Sequence, residues 1–268
     1  MSRRRWWLVG AVALVLLAGQ AGAAAAVWRY TRPRLPALAA AVPTLDRAIA
    51  LVVGAVDGRA AVAIGPLVPL ASCANTPLAK GSRVSRTADL YTDPGQEDAL
   101  IGRIAAALPA EQHARREAPV GGGPPPLTAA LGTGLSLHVT RLGNGWVAAI
   151  AETDCRNPGR PAPSVTTAPA KASAEVTQVL AALGTMPTTW RADTVACAGG
   201  AIVTVATISA ETGADNLRNR LAGAVPAGAR RFVSDANRLA WRDGTTSVIV
   251  AASDDGRHIT VQDTGAGC

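Results

Sequence analysis

At 268 residues the chain has room for one large domain or two smaller ones, each with its own core. Its net charge of +7 points to a polyanion partner only until it is located: residues 1–34 hold six Arg and no acid, and the other 234 residues carry 20 basic against 19 acidic side chains. A body so near neutrality exerts little long-range pull on phosphate backbones. Beyond residue 34 the only aromatics are Tyr91, Trp146, Trp190, Phe232 and Trp241, a poor supply for stacking bases or sugars, so no nucleic-acid partner is expected. The 24 Arg against 2 Lys, with abundant Ala, Gly and Pro, reflect the codon usage of a GC-rich genome.

The N-terminus reads MSRRRWWLVGAVALVLLAGQAGAAAAVW. A basic start leads into 23 uncharged residues from Trp6 to Trp28, enough to span a bilayer with some tilt. Trp6, Trp7 and Trp28 bracket this stretch where interfacial aromatics belong. Because the stretch exceeds the usual length of a signal-peptide core, we read residues 1–34 as an uncleaved membrane anchor. Cleavage after Ala21-Gly22-Ala23 is the alternative, giving a secreted body. Leu17 to Gln20 resembles a lipoprotein box with Gln20 in place of the lipidated cysteine, so no lipid anchor is expected.

Past a short Pro-broken stalk (29–43), the chain runs twice through one pattern. A helical stretch comes first, residues 44–56 in one half and 172–183 in the other. After Cys73 an alternating stretch, SRVSRTADLYT, meets a helix signal in which Asp93 is the N-cap, Pro94 the first helical residue and Gln96 the capping partner. Leu100, Ile101, Ile104 and Leu108 form that helix's apolar face. Strands LSLHVTRL and WVAAIAETDC follow, joined at Gly143-Asn144-Gly145. In the second half, Cys197 precedes AIVTVATIS and a helix signal capped by Thr212, with Asp215 three residues on. RRFVSDA, TTSVIVAAS, a turn at Asp254-Asp255-Gly256 and RHITVQDTGAGC complete it. The phrase GRIAAALPA (102–110) aligns with NRLAGAVPA (219–227), Pro109 on Pro226.

Order, spacing and flanking cysteines agree, so the halves read as an internal duplication. Among the three ways to pair four cysteines, the repeat selects Cys73–Cys155 and Cys197–Cys268, each closing its own lobe. Paired cysteines belong in an oxidising compartment, which places the body outside the cytoplasm. The alternative is four buried free thiols. Residues 156–171, rich in Pro, Ala and Thr, read as a linker, and PVGGGPPP (119–126) as a loop insertion.

In its closures DTGAGC and AETDC, and in the strand-to-helix junction RTADLYTDPG at 86–95, the chain resembles uncharacterised actinobacterial secreted or membrane-tethered proteins with duplicated, Cys-closed α+β lobes. The resemblance implies location and architecture and brings no activity or functional residue with it.

Chemistry-bearing motifs are sparse. The sequence has no G-x-S-x-G elbow, phosphate loop, H-E-x-x-H or G-x-G-x-x-G, and no C-x-x-C pair beside its three histidines, so no cofactor or metal is expected. His138 and His258 fall on polar strand faces and His113 in a charged stretch, all reading as surface residues. The Asp254-Asp255 pair reads as turn chemistry. Arg115-Arg116 and Arg230-Arg231 each follow their lobe's helix near the start of a strand. They are the candidate interaction surface, an anionic contact site on equivalent edges; charges guarding an edge strand are the plainer reading.

The sequence thus predicts an α+β protein: an N-terminal transmembrane helix (1–34), a first lobe (35–155), a linker (156–171) and a second lobe (172–268). Each lobe has a leading helix and then β-β-α-β-β-β in a mainly antiparallel sheet, with helices on one face. The favoured function is a membrane-tethered extracytoplasmic binding module, an accessory subunit for an envelope protein or cell-wall component. The alternatives are an envelope hydrolase of unrecognised type, which converging His258 and Asp residues at the lobe interface would support, and a structural spacer.

Overall fold

A computed structural model describes residues 37–76, 79–118, 125–156, 173–197, 200–210, 216–253 and 256–266. The predicted anchor, the 156–171 linker apart from Arg156, most of the 119–126 insertion, Thr212, Asp215, Asp254-Asp255 and Cys268 lie outside them. The protein is α+β with two six-stranded antiparallel sheets.

The first helix, α1 (Leu38–Ala55), starts six residues earlier than the sequence suggested and runs through Pro43. The proline costs a backbone hydrogen bond. Leu38 and Ala41 nevertheless continue the stripe of Leu45, Ala48, Ile49, Val52 and Val53, and all seven are buried. Burying a side chain the size of Leu45 or Ile49 contributes about 1.5–3 kcal/mol, so the stripe outweighs the break. By length and composition α1 could cross a membrane. Here it is a core helix, packed on the alternate positions Val62, Ile64, Leu90, Val147, Ala149 and Ala151 of the first sheet.

That sheet is built from β1 (Ala61–Thr76), β2 (Ala79–Tyr91), β3 (Arg115–Arg116), β4 (Leu127–Gly132), β5 (Leu135–Gly143) and β6 (Trp146–Thr153), in the order β1-β2-β6-β5-β4-β3. β1 shifts register across Gly65-Pro66, again after Pro69 and once more after Ala74, irregularities that an edge strand tolerates. Helix α2 (Glu97–Ala107) crosses from β2 to β3 and buries Leu100, Ile101 and Ile104. Its start corrects the capping reading. Asp93 to Gln96 form a turn closed by Gln96 N–H donating to the Asp93 carbonyl, Gly95 has φ +87°, and the helix begins only at Glu97, with Gln96 at the N-cap and no side-chain cap.

The second lobe repeats this path. Helix α3 (Ala174–Leu183) is capped by Ser173, whose Oγ accepts from Val176 N–H at 3.1 Å. Strands β7 (Pro187–Cys197), β8 (Gly200–Ala210), β9 (Arg230–Ser234), β10 (Arg238–Asp243), β11 (Thr246–Ala252) and β12 (His258–Ala266) form a sheet ordered β7-β8-β12-β11-β10-β9. This is the first lobe's order position for position. Each sheet has six strands where five were expected, since the sequence pattern passes over β4 and β10. The expected second-lobe helix shrinks to α4 (Leu217–Arg220), entered through Asn216 at φ +67°. The aligned phrase still packs alike: Leu100, Ile104 and Leu108 are buried in one lobe, Leu217, Leu221 and Val225 in the other.

The two sheets stay separate and meet face to face. α3 and α4 cover the outer face of the second sheet through Leu239, Trp241, Val248, Val250, Ile259 and Val261. The inner faces join at Ala61, Ala63 and Tyr91 of lobe one against Phe232, Val233, Ala240 and Ile249 of lobe two, with Trp146 packed alongside. Helix α1 also reaches the second sheet, packing on β7, and Val195 and Ile202 of that sheet join its core. At the first β1 irregularity, Ile64 N–H donates instead to Thr204 Oγ1 of the other lobe (3.0 Å), and Thr204 is hydrogen-bonded to Thr264 (2.8 Å). A backbone donor that would otherwise be buried unpaired thus ties the lobes together.

Cys73 and Cys155 form a disulfide with Cα atoms 5.7 Å apart. Cys73 stands on β1 and Cys155 just past the end of β6, the two strands flanking β2, and the bridge passes over Gly81, which pairs with Cys73. A Cβ there would lie 2.6 Å from both Cys155 Sγ and the Arg156 carbonyl oxygen, so only glycine fits. In lobe two, Cys197 pairs with Gly200 in the same hairpin position and is disulfide-bonded too. No cysteine among the described residues is free.

Candidate binding site at the junction of the lobes

Three arginines of lobe two reach across to lobe one. Arg242 pairs with Asp57, just after α1. Arg238 lies over the Trp146 ring, its guanidinium carbon 4.1 Å from the centroid, and 5.7 Å from that of Tyr91, whose ring stacks on Trp146. Arg230 donates to Asp93 Oδ2 (2.7 Å) and to the Gly58 carbonyl (3.2 Å), and stands over Phe232. Asp93 and Arg230 are about half exposed, where an ion pair contributes roughly 0–1 kcal/mol. The apolar cluster supplies the cohesion and the arginines fix the register.

Behind this seam lies Asp89. Trp146 Nε1–H donates to its Oδ1 at 3.0 Å. Burial raises its pKa above the ordinary carboxylate value, against the opposing pull of that indole and of Arg238. Tyr91 is also pushed up, by burial first and then by Asp89.

Beside it, the start of α2 is locked by Glu97. Its buried carboxylate accepts from Gly145 N–H at the β5–β6 turn, with Arg141 at 3.8 Å. Burial opposes the charge, yet the amides of Gly145, Glu97 and Gly95, with Arg141, outweigh it and hold the pKa below its usual value. Gly145 is confined on two counts: φ is +69°, and a Cβ would meet the Thr92 carbonyl at 2.7 Å and Val233 of lobe two at 3.0 Å.

Over this locked corner opens a pocket of about 220 Å³, lined by Arg59, Asp93, Gln96, Ala99, Arg103 and Arg230 among others. Lobe one provides its floor and two arginines; lobe two provides Arg230. Asp93 is committed to Arg230 and nearby Asp98 to Arg116. Arg59 and Arg103 have no ion-pair partner among the described residues. Three arginines and one carboxylate in the lining leave an excess of two positive charges there, beside a first turn whose own acids are set elsewhere, Glu97 against Gly145 and Arg141 and Asp98 against Arg116.

Of the candidate surface, Arg115-Arg116 are β3 and Arg230-Arg231 open β9, the outermost strands of their sheets. Arg116 and Arg230 are drawn to acids on either side of the α2 start; only Arg230 enters the pocket. Arg115 stands opposite Thr128 and Arg231 opposite Trp241 in their ladders. The sequence reading missed Arg59 and Arg103. Arg103 sits on the polar side of an amphipathic helix and Arg59 follows a turn, so only the alignment of Arg103 with Arg220 marked either.

The histidines stay apart. His138 is half-exposed, near Ser136 Oγ (3.2 Å) and Glu152 (3.6 Å); His258 is exposed at the start of β12, and His113 ends the short 3-10 turn Ala110–Gln112. None lines the junction pocket. No group of three His, Cys, Asp or Glu that could hold a metal occurs among the described residues. A second, mostly apolar groove of about 1030 Å³ runs along α1 past Pro43, Asp46, Leu51 and Pro109 to Cys197. In it Asp46, its pKa raised by burial against the pull of Arg86, makes a 3.0 Å ion pair with that arginine. No protein family, curated protein or solved structure matches the chain.

Proposed function

We propose that the body of this protein is an extracytoplasmic binding module, tethered by its N-terminal apolar segment, that recognises an envelope component at the junction of its lobes. The observation that carries this reading is the composition of the junction pocket. Neither lobe forms it alone, and beside Arg230 it holds Arg59 and Arg103, which have no ion-pair partner among the described residues. The Cys73–Cys155 disulfide supports a location outside the cytoplasm. The basic-flanked stretch Trp6–Trp28 supports attachment to the membrane.

A photo-crosslinking residue at Ala99, exposed at the pocket rim, tests the reading in intact cells against the same residue at Met186, which is 81% exposed and away from the junction. Adducts with an envelope component at position 99 and not at 186 are expected. Equal labelling at both positions, or none at 99, contradicts the proposal.

A further inference from the structure

We infer that the junction pocket holds a terminal phosphoryl group, gripped by Arg59, Arg103 and Arg230; the inference rests on the binding-module reading and names the ligand chemistry of that site. Size bounds the occupant first. At about 220 Å³ the cavity is smaller than the roughly 300–1,000 Å³ of sites that enclose a drug-sized ligand. It therefore takes a small head group, with the rest of the molecule outside. Charge selects among head groups. After Asp93 is set against Arg230, Arg59 and Arg103 leave two positive charges. A phosphate monoester carries about −1.5 to −2 at neutral pH, which matches this excess, whereas a carboxylate meets half of it.

Geometry agrees with the charge. Guanidinium groups fork onto phosphate oxygens in pairs, and here three arginines line one cavity from separate elements: the turn after α1, helix α2 and strand β9. The site is also held in advance. Arg230 is fixed by Asp93 and the Gly58 carbonyl, and the α2 start by Glu97 on Gly145, so little ordering accompanies binding.

The test is calorimetric titration of the full chain in detergent with inorganic phosphate, glycerol phosphate and acetate. Saturable binding of a phosphate species, absent with acetate, is expected. Arg59→Gln and Arg103→Gln should each weaken it about tenfold, the loss of one charge-assisted contact, while Arg115→Gln on β3 leaves it unchanged. Both substituted arginines are exposed, so the variants should keep the parent's thermal midpoint, which is checked in parallel. Tighter binding of glycerol phosphate identifies a phosphorylated envelope molecule as the source, and tighter inorganic phosphate the free ion. No saturable binding, acetate binding as well as phosphate, or variants that bind like the parent overturn the inference. If position 99 still crosslinks when phosphate fails to bind, the module reading stands and only the phosphoryl assignment falls.

Discussion

The two lobes share strand order down to the glycine facing each hairpin cysteine, yet they use their helices differently. Lobe one carries 18- and 11-residue helices, lobe two a 10-residue helix and a single turn. The contrast is sharpest at one aligned pair. Arg220 of lobe two donates to the Leu183 carbonyl and so closes the C-terminus of α3. Its counterpart Arg103 meets no carbonyl or carboxylate among the described residues and lines the junction pocket. The lobes agree in strand order and in their aligned buried apolar residues, where packing density penalises change. The exposed helical layer differs between the lobes, and there the aligned arginine is structural in one and lines the pocket in the other.

Removing the closure of lobe one breaks the comparison most severely. The Cys73–Cys155 bridge spans 82 residues, and the chain-entropy estimate for such a loop is about 4–5 kcal/mol. Cys73→Ser/Cys155→Ser should lower stability by that order in denaturant titration while leaving the α3, α4 and β7–β12 core assembled. The aligned arginines give a smaller, directional effect. Arg220→Ala should cost about 1 kcal/mol through the lost helix-end hydrogen bond, and Arg103→Ala nothing measurable, both read from thermal unfolding. Equal losses would mean that the two positions play the same structural part.

The smallest effect depends on pH and reports on the seam. Asp89 has a folded pKa above its ordinary value, so the native state holds that proton more tightly than the unfolded chain. Its contribution is complete below the unfolded value near 4 and is lost as pH rises through the folded value. The stability advantage of the parent over Asp89→Asn should therefore shrink with rising pH from about 4 upward. Asp46 and Asp263, also raised by burial, titrate in both proteins and cancel. A pH-independent difference would contradict the burial of Asp89 at the junction.

Much of the frame could be read along the chain. The α+β class, the Cys73–Cys155 pairing and the helix-covered faces follow from periodicity and from an aligned phrase whose large apolar residues lie inside. Capping was misread because Asp93-Pro94-Gly95-Gln96 satisfies a helix-start pattern, while Gly95 makes a turn and Glu97 reaches a hairpin 48 residues away. β10 escaped because Arg238 and Arg242 flank it as if on a surface; both reach the opposite lobe, a partner no local window contains. The pocket was hidden for the same reason. Arg59, Arg103 and Arg230 are unremarkable in their own segments and meet only when the sheets stack.

The central claim is that each of the two lobes is closed by its own cystine. Non-reducing peptide mapping of the protein from its native envelope, cleaved within residues 156–171, tests it most directly. The account predicts one peptide pair joined through Cys73–Cys155 and a second joined through Cys197–Cys268. A Cys73–Cys268 link, or free thiols at Cys197 and Cys268, would contradict it.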